Sequence, residues 1–132
     1  MPMEFSEIEN NVKRLKDEIS AGNAYGEAVT LVAATKTQSA EAINAAIRAG
    51  VDAVAENKVQ EFREKFEAVH GCPQHFIGHL QTNKVKYLVG KITLFHSCDR
   101  DELAEEIARL SLKRNVVSQI LVQVNIGREE TK

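Results

Sequence analysis

Lys36 closes a short apolar run, V-T-L-V-A-A-T-K-T over residues 29–37. Valine, leucine and threonine at these positions favour a strand, and the near-continuous apolar character fits a strand covered on both faces, as in a parallel sheet. Side chains alternate along a strand, so Lys36 shares its face with Ala34, Val32 and Thr30. If that face is interior, the ammonium group loses hydration. Desolvation lowers a lysine pKa and frees a nucleophilic amine, which is what a Schiff-base lysine needs. A lysine snorkelling from a strand end is the plainer alternative, and this stretch alone leaves both open.

Two other clusters carry chemistry-bearing types. Cys72, His75 and His79 have a spacing that resembles zinc ligands. Pro73, Gly78 and the run F-I-G-H-L favour a strand, on which His75 and His79 stand about 13 Å apart, too far to share one ion. The set also lacks a fourth ligand, so no metal site is expected. Cys98 has no implied base partner and reads as a buried structural thiol. Tyr25 and Tyr87 fall before a strand and within a helix, so neither is a clear acid/base partner opposite Lys36.

The elements that position these residues alternate. Residues 6–21 read as an amphipathic helix with Ile8, Val12, Leu15 and Ile19 on one stripe and a Ser6/Glu9 capping box. The first strand is expected over residues 29–36. Ser39 caps the next helix, Ile43, Ala46 and Ile47 face inward, and Gly50 closes it. A second strand covers residues 51–56. Asn57 ends it and, with Gln60, is expected to cap a helix bearing Val59, Phe62, Phe66 and Val69. Strands at 75–80, 92–97 and 117–125 follow, separated by a short helix from Thr82 to Gly90 and a long one capped by Asp99 and Glu102. Such alternation is the signature of parallel βαβ units, either as an open doubly wound sheet or as part of a (β/α)₈ barrel. T-K-T-Q-S stands where a dinucleotide-binding fold needs a glycine-rich loop. Five strands cannot close a barrel, which takes about 200 residues or more.

Lys36, Asn57, His79, Ser97 and Asn125 all fall at or near strand carboxyl ends, the edge that hosts sites in barrels and open sheets alike. Ser97, Asp99 and Asn125 are ordinary helix-capping types. Lys36 and His79 are not preferred caps and are the stronger functional candidates.

The totals bound the answer. The 132 residues are 43% apolar and 27% charged, with a net charge of −2 and two cysteines. That describes one modest domain with free thiols, expected in the cytoplasm, without the basic clustering of a nucleic-acid binder or an apolar run long enough for a bilayer.

The blocks L-V-A-A-T-K-T, A-E-N-K-V-Q-E, H-F-I-G-H-L-Q-T-N-K, H-S-C-D and L-V-Q-V-N-I-G-R-E-E-T-K, in this order, resemble the YggS-type pyridoxal phosphate homeostasis proteins, relatives of the N-terminal barrel domain of alanine racemase. The resemblance runs from about residue 29 to 132. It implies an incomplete (β/α)₈ TIM-type barrel, five parallel βα units of the eight, with residues 1–132 as the N-terminal part of a single domain. It implies pyridoxal 5′-phosphate as an internal aldimine on Lys36, with Asn57 and His79 lining the cofactor pocket and Lys132 near the same edge. Ala55 stands where the family more often has glycine. The segments that supply the phosphate cradle and the partner of the pyridine nitrogen lie beyond the fifth strand. The implied role is cofactor binding and homeostasis rather than established catalysis. A racemase-like enzyme and a truncated fragment without efficient cofactor binding are the alternatives. Unpaired first and fifth strands would expose residues such as Val32, Leu121 and Val122, so self-association through strand edges is expected.

Overall fold

A computed structural model describes residues 5–127. Five parallel strands form one sheet in the order β1-β2-β3-β4-β5: Val32–Ala34, Ala53–Glu56, Gln74–Phe76, Leu94–Cys98 and Gln119–Val122. Four α-helices accompany them: α1 (Phe5–Ile19), α2 (Ala40–Ala49), α3 (Val59–Lys65) and α4 (Asp101–Arg114). A 3₁₀ turn extends α3 over Phe66–Ala68, and a 3₁₀ helix, Thr82–Tyr87, links β3 to β4.

The strand order decides between the two architectures. A doubly wound sheet reverses its order at a switch point and carries helices on both faces. Here the order never reverses. Parallel crossovers have one hand, so an unreversed series keeps its helices on one face of the sheet. That is the arrangement of barrel units, and among the described residues no opposing strands cover the other face.

The helix-facing side holds the core in two clusters. One gathers Phe62, Phe76, Leu88, Phe95, Leu103 and Ile107, and the other gathers Val12, Ile43, Ala46, Val51, Val54 and Val69. Burying one such large side chain contributes about 1.5–3 kcal/mol. Register puts Glu56, Phe76 and Phe95 on this face. Ala34, Ala55, His75 and Leu94 align on the opposite face. In α1 only Val12 is buried, and Leu15, expected inside, is exposed.

Local signals were met unevenly. Ser39 caps α2 by accepting the Ala42 amide at 3.1 Å, and Gly50 closes it at φ 118°. Ser6 lies within α1 rather than at its cap. The expected caps Asn57 and Asp99 are displaced by one residue: Lys58 and Arg100 occupy the cap positions, and neither side chain makes a capping bond. Asp99 pairs instead with Arg100 at 2.8 Å. β1, β3 and β5 are shorter than the expected residues 29–36, 75–80 and 117–125, with β3 confined to Gln74–Phe76 although it has strands on both sides. No described helix is long and apolar enough to cross a membrane.

Candidate functional site

Lys36 sits just past β1 in a turn closed by the Gln38 amide donating to the Thr35 carbonyl at 3.2 Å. Thr37, third in the turn, has φ 66°. That left-handed conformation favours glycine, and a β-branched residue there is strained by roughly 1–3 kcal/mol. Such strain persists only where neighbours over-determine the backbone, and here they do. The Thr37 amide donates to Glu61 Oε2 at 2.9 Å, and the Thr35 carbonyl accepts from Lys65 Nζ at 3.2 Å.

Those two α3 residues bond to each other at 2.7 Å, and Lys65 also reaches the buried Glu56 at 3.3 Å. The single hydroxyl proton of Thr35 is shared between Glu56 Oε1 and the Ala55 carbonyl, the latter 3.1 Å from the hydroxyl oxygen. The Lys65 hydrogen bond, then the Thr37 amide, holds the Glu61 carboxyl below its ordinary pKa. Both peptide groups flanking Lys36 are thereby fastened to α3. Its own side chain is exposed, as is Ala34 on the same face. The expected desolvated lysine is not what the structure shows. The reason is its place in the exposed turn past the end of the edge strand β1; on the same face further into the sheet, Ala55 and His75 are buried.

Asn57 lies one residue beyond β2, with its Oδ1 buried and without a hydrogen-bond partner. Gly78 lies against it: a Cβ at Gly78 would stand 1.9 Å from the Asn57 carbonyl oxygen. Only glycine lets the end of the third unit come so near the end of the second, and the Ile77 amide donating to the Glu56 carbonyl at 3.0 Å fixes this approach. His79 follows with an exposed ring, its Nδ1 3.9 Å from Asp99 Oδ2. Asn57 and His79 line one cavity of about 310 Å³. Lys36 does not line it, but stands at the end of the adjacent strand on the same sheet edge. Lys132 lies outside the described residues.

The strand expected to carry both His75 and His79 ends at Phe76, so His75 lies in β3 and His79 beyond it. His75 is buried within β3, and its Nδ1 lies 3.0 Å from Nε2 of His96 on β4. Burial, and then His96, lowers the His75 pKa, and burial lowers that of His96. Among the described residues no group of three or more His, Cys, Asp or Glu is placed to hold a metal ion. Cys98 is a core residue whose thiol pKa is pushed up by burial. Ser97, read as a cap, donates across the sheet to the Ile77 carbonyl at 2.9 Å.

Sequence reasoning missed His96 and the Glu56–Lys65–Glu61 network. His96 could have been found by alternation, since it falls on the same sheet face as His75. The network had no such signal, because Glu61 and Lys65 read as an ordinary exposed helical pair.

No family model matches the chain. A curated pyridoxal phosphate homeostasis protein of Aquifex aeolicus is 49% identical, the match covering 77% of this chain and 46% of that protein. The protein of the same name from Escherichia coli is 33% identical over 97% of this chain and 58% of its own. Among solved structures, a protein of Bifidobacterium adolescentis described as unknown superposes with TM-score 0.83 at 34% identity, covering 97% of this chain and 58% of that one. PipY of Synechococcus elongatus, solved with PLP bound, superposes with TM-score 0.77 at 29% identity, over 89% of this chain and 56% of its own. A D-threonine aldolase of Filomicrobium marinum shares the fold, with TM-score 0.72 at 16% identity. The chain spans about half the length of the curated relatives it matches.

Proposed function

We propose that this chain, a homologue of the pyridoxal phosphate homeostasis proteins over about half their length, binds pyridoxal 5′-phosphate through Lys36 and serves cofactor homeostasis in the cytoplasm. It corresponds to the N-terminal five βα units of a single barrel domain. The observation that carries this reading is the Lys36 turn, a strained backbone at the carboxyl edge, fastened on both sides to α3.

The residues present fit the group. The cofactor supplies an aldehyde, an electrophile that condenses with a primary amine and releases water. Lys36 presents that amine toward the open face. Asn57 Oδ1 is a buried acceptor without a donor, and suits a ring hydroxyl. His79 borders the same edge with an exposed imidazole able to donate or accept. Nothing described wraps a phosphate beside Lys36, so we expect weak, reversible binding.

The test is a visible absorbance spectrum recorded while pyridoxal 5′-phosphate is added. A saturable visible band, lost in Lys36→Ala and retained in Lys91→Ala, supports the reading. A band indifferent to Lys36 removes it.

We also propose that the β5 edge pairs with a second copy of this chain. Every residue of β5 is exposed, including Leu121 at 49% and Val122 at 70%, and among the described residues no strand lies beside its outer edge. Unpaired apolar edges template pairing between chains.

A further inference from the structure

The 310 Å³ cavity beside Asn57 and His79 has a character of its own. It opens between α3 and the Thr82–Tyr87 helix, and its charged lining is Lys58, Arg63 and Lys84, with no carboxylate. The guanidinium of Arg63 lies over the Tyr87 ring, 4.0 Å from its centre, while Lys84 and Lys86 place their ammonium groups 5.9 and 5.3 Å from the same ring. Three cations thus gather around one phenol in a protein whose net charge is −2. The face of the ring offsets part of their mutual repulsion.

The nearby carboxylates are engaged elsewhere. Glu61 is bonded to Lys65 and the Thr37 amide, and Glu64 accepts from Gln60 at 3.0 Å. Lys58 shares the field of Glu61. Arg63 and Lys84 are left, among the described residues, with no acidic partner. Arg100 and Arg109, in contrast, each spend their guanidinium on a carboxylate. A guanidinium held in place by stacking, with its N–H donors free, is preorganised for an oxyanion.

We propose that this cavity binds the phosphate group of a small phosphorylated molecule, held by Arg63 and Lys84. The volume of this half-open cavity suits a single compact head group at the small end of ligand sites. A confined cluster in an acidic protein does not suit a polyanion, which needs an extended basic track. The cavity shares Asn57 and His79 with the cofactor reading but not Lys36, so a variant at Lys36 tests that reading without touching this site.

The probe is inorganic phosphate, titrated at constant ionic strength against chloride while backbone amide resonances are followed. Saturable shifts are expected at Lys58, Gln81 and Lys84. Arg63→Met and Lys84→Met should each weaken the apparent affinity by about tenfold. Lys91→Met, which removes a cation stacked on Phe66 outside the cavity, should leave it unchanged. Lys84 is exposed, so its variant stays readable even if Arg63→Met folds poorly. Lys36→Ala is expected to bind phosphate as the wild type does, so the two proposals fail separately. Unsaturable shifts matched by chloride would overturn the assignment, as would wild-type affinity in Lys84→Met. A single-stranded oligonucleotide binding far more tightly than phosphate would overturn the small-molecule class.

Discussion

His75 and His96 illustrate how one contact sets a pH response. Their ring nitrogens lie 3.0 Å apart, which requires one nitrogen to donate and the other to accept. Both folded pKa values lie below the ordinary 6.5. Below about pH 6.5 the unfolded chain therefore binds more protons than the folded one, and stability rises with pH through that window. The contribution is complete above 6.5 and is lost as pH falls toward the folded values. Urea midpoints between pH 7.5 and 5.5 should decline, and His96→Gln should flatten the decline. Thr37 gives a second residue-scale expectation. Thr37→Gly keeps the backbone amide that Glu61 accepts and relieves the left-handed strain, so it should raise stability by about 1 kcal/mol in denaturant melts. Lys36 itself was legible as a strand-end amine. Its exposure was not, because alternation says which face a side chain takes and nothing of what covers that face.

Among the elements, α3 fixes most of the site's geometry. Lys65 joins Glu56, Glu61 and the Thr35 carbonyl, so one side chain ties α3 to the ends of β1 and β2. Removing one partner of such a part-buried pair leaves an uncompensated carboxylate. Lys65→Met should cost about 3 kcal/mol in chemical denaturation. It should also loosen the turn around Lys36, seen as faster amide exchange at Thr37. Gly78→Ala is expected to cost about 1–3 kcal/mol, since its methyl group meets the Asn57 backbone rather than a side chain that can yield. Helix existence and type were readable from the spacing of Ile43, Phe62, Leu103 and Ile107. Caps were readable only where the side chain does the capping, as at Ser39. At Lys58 and Arg100 the cap is a backbone position without a side-chain bond, so the eye falls on the neighbouring Asn57 or Asp99.

At the scale of the whole molecule, the unreversed strand order puts β1 and β5 at the two edges of the sheet, with Lys36 just past one and exposed β5 forming the other. Alternation of strands and helices in the sequence could not distinguish a doubly wound sheet from barrel units, because spatial order is not written in periodicity. The family resemblance made that choice, and the strand order agrees with it. Edge exposure carries its own expectation. Sedimentation should show concentration-dependent association, and Val122→Lys with Val124→Lys should suppress it by placing charges on the exposed strand and its extension. A monodisperse wild-type monomer at all concentrations would contradict it.

The central claim is that Lys36 is the residue through which this chain holds pyridoxal 5′-phosphate. Its most direct test is to mix the two, reduce with borohydride and map the modified peptide by mass spectrometry. The account expects one dominant phosphopyridoxyl mark, on Lys36, at substoichiometric cofactor. Marks spread evenly over the surface lysines, unchanged in pattern by Lys36→Ala, would contradict it.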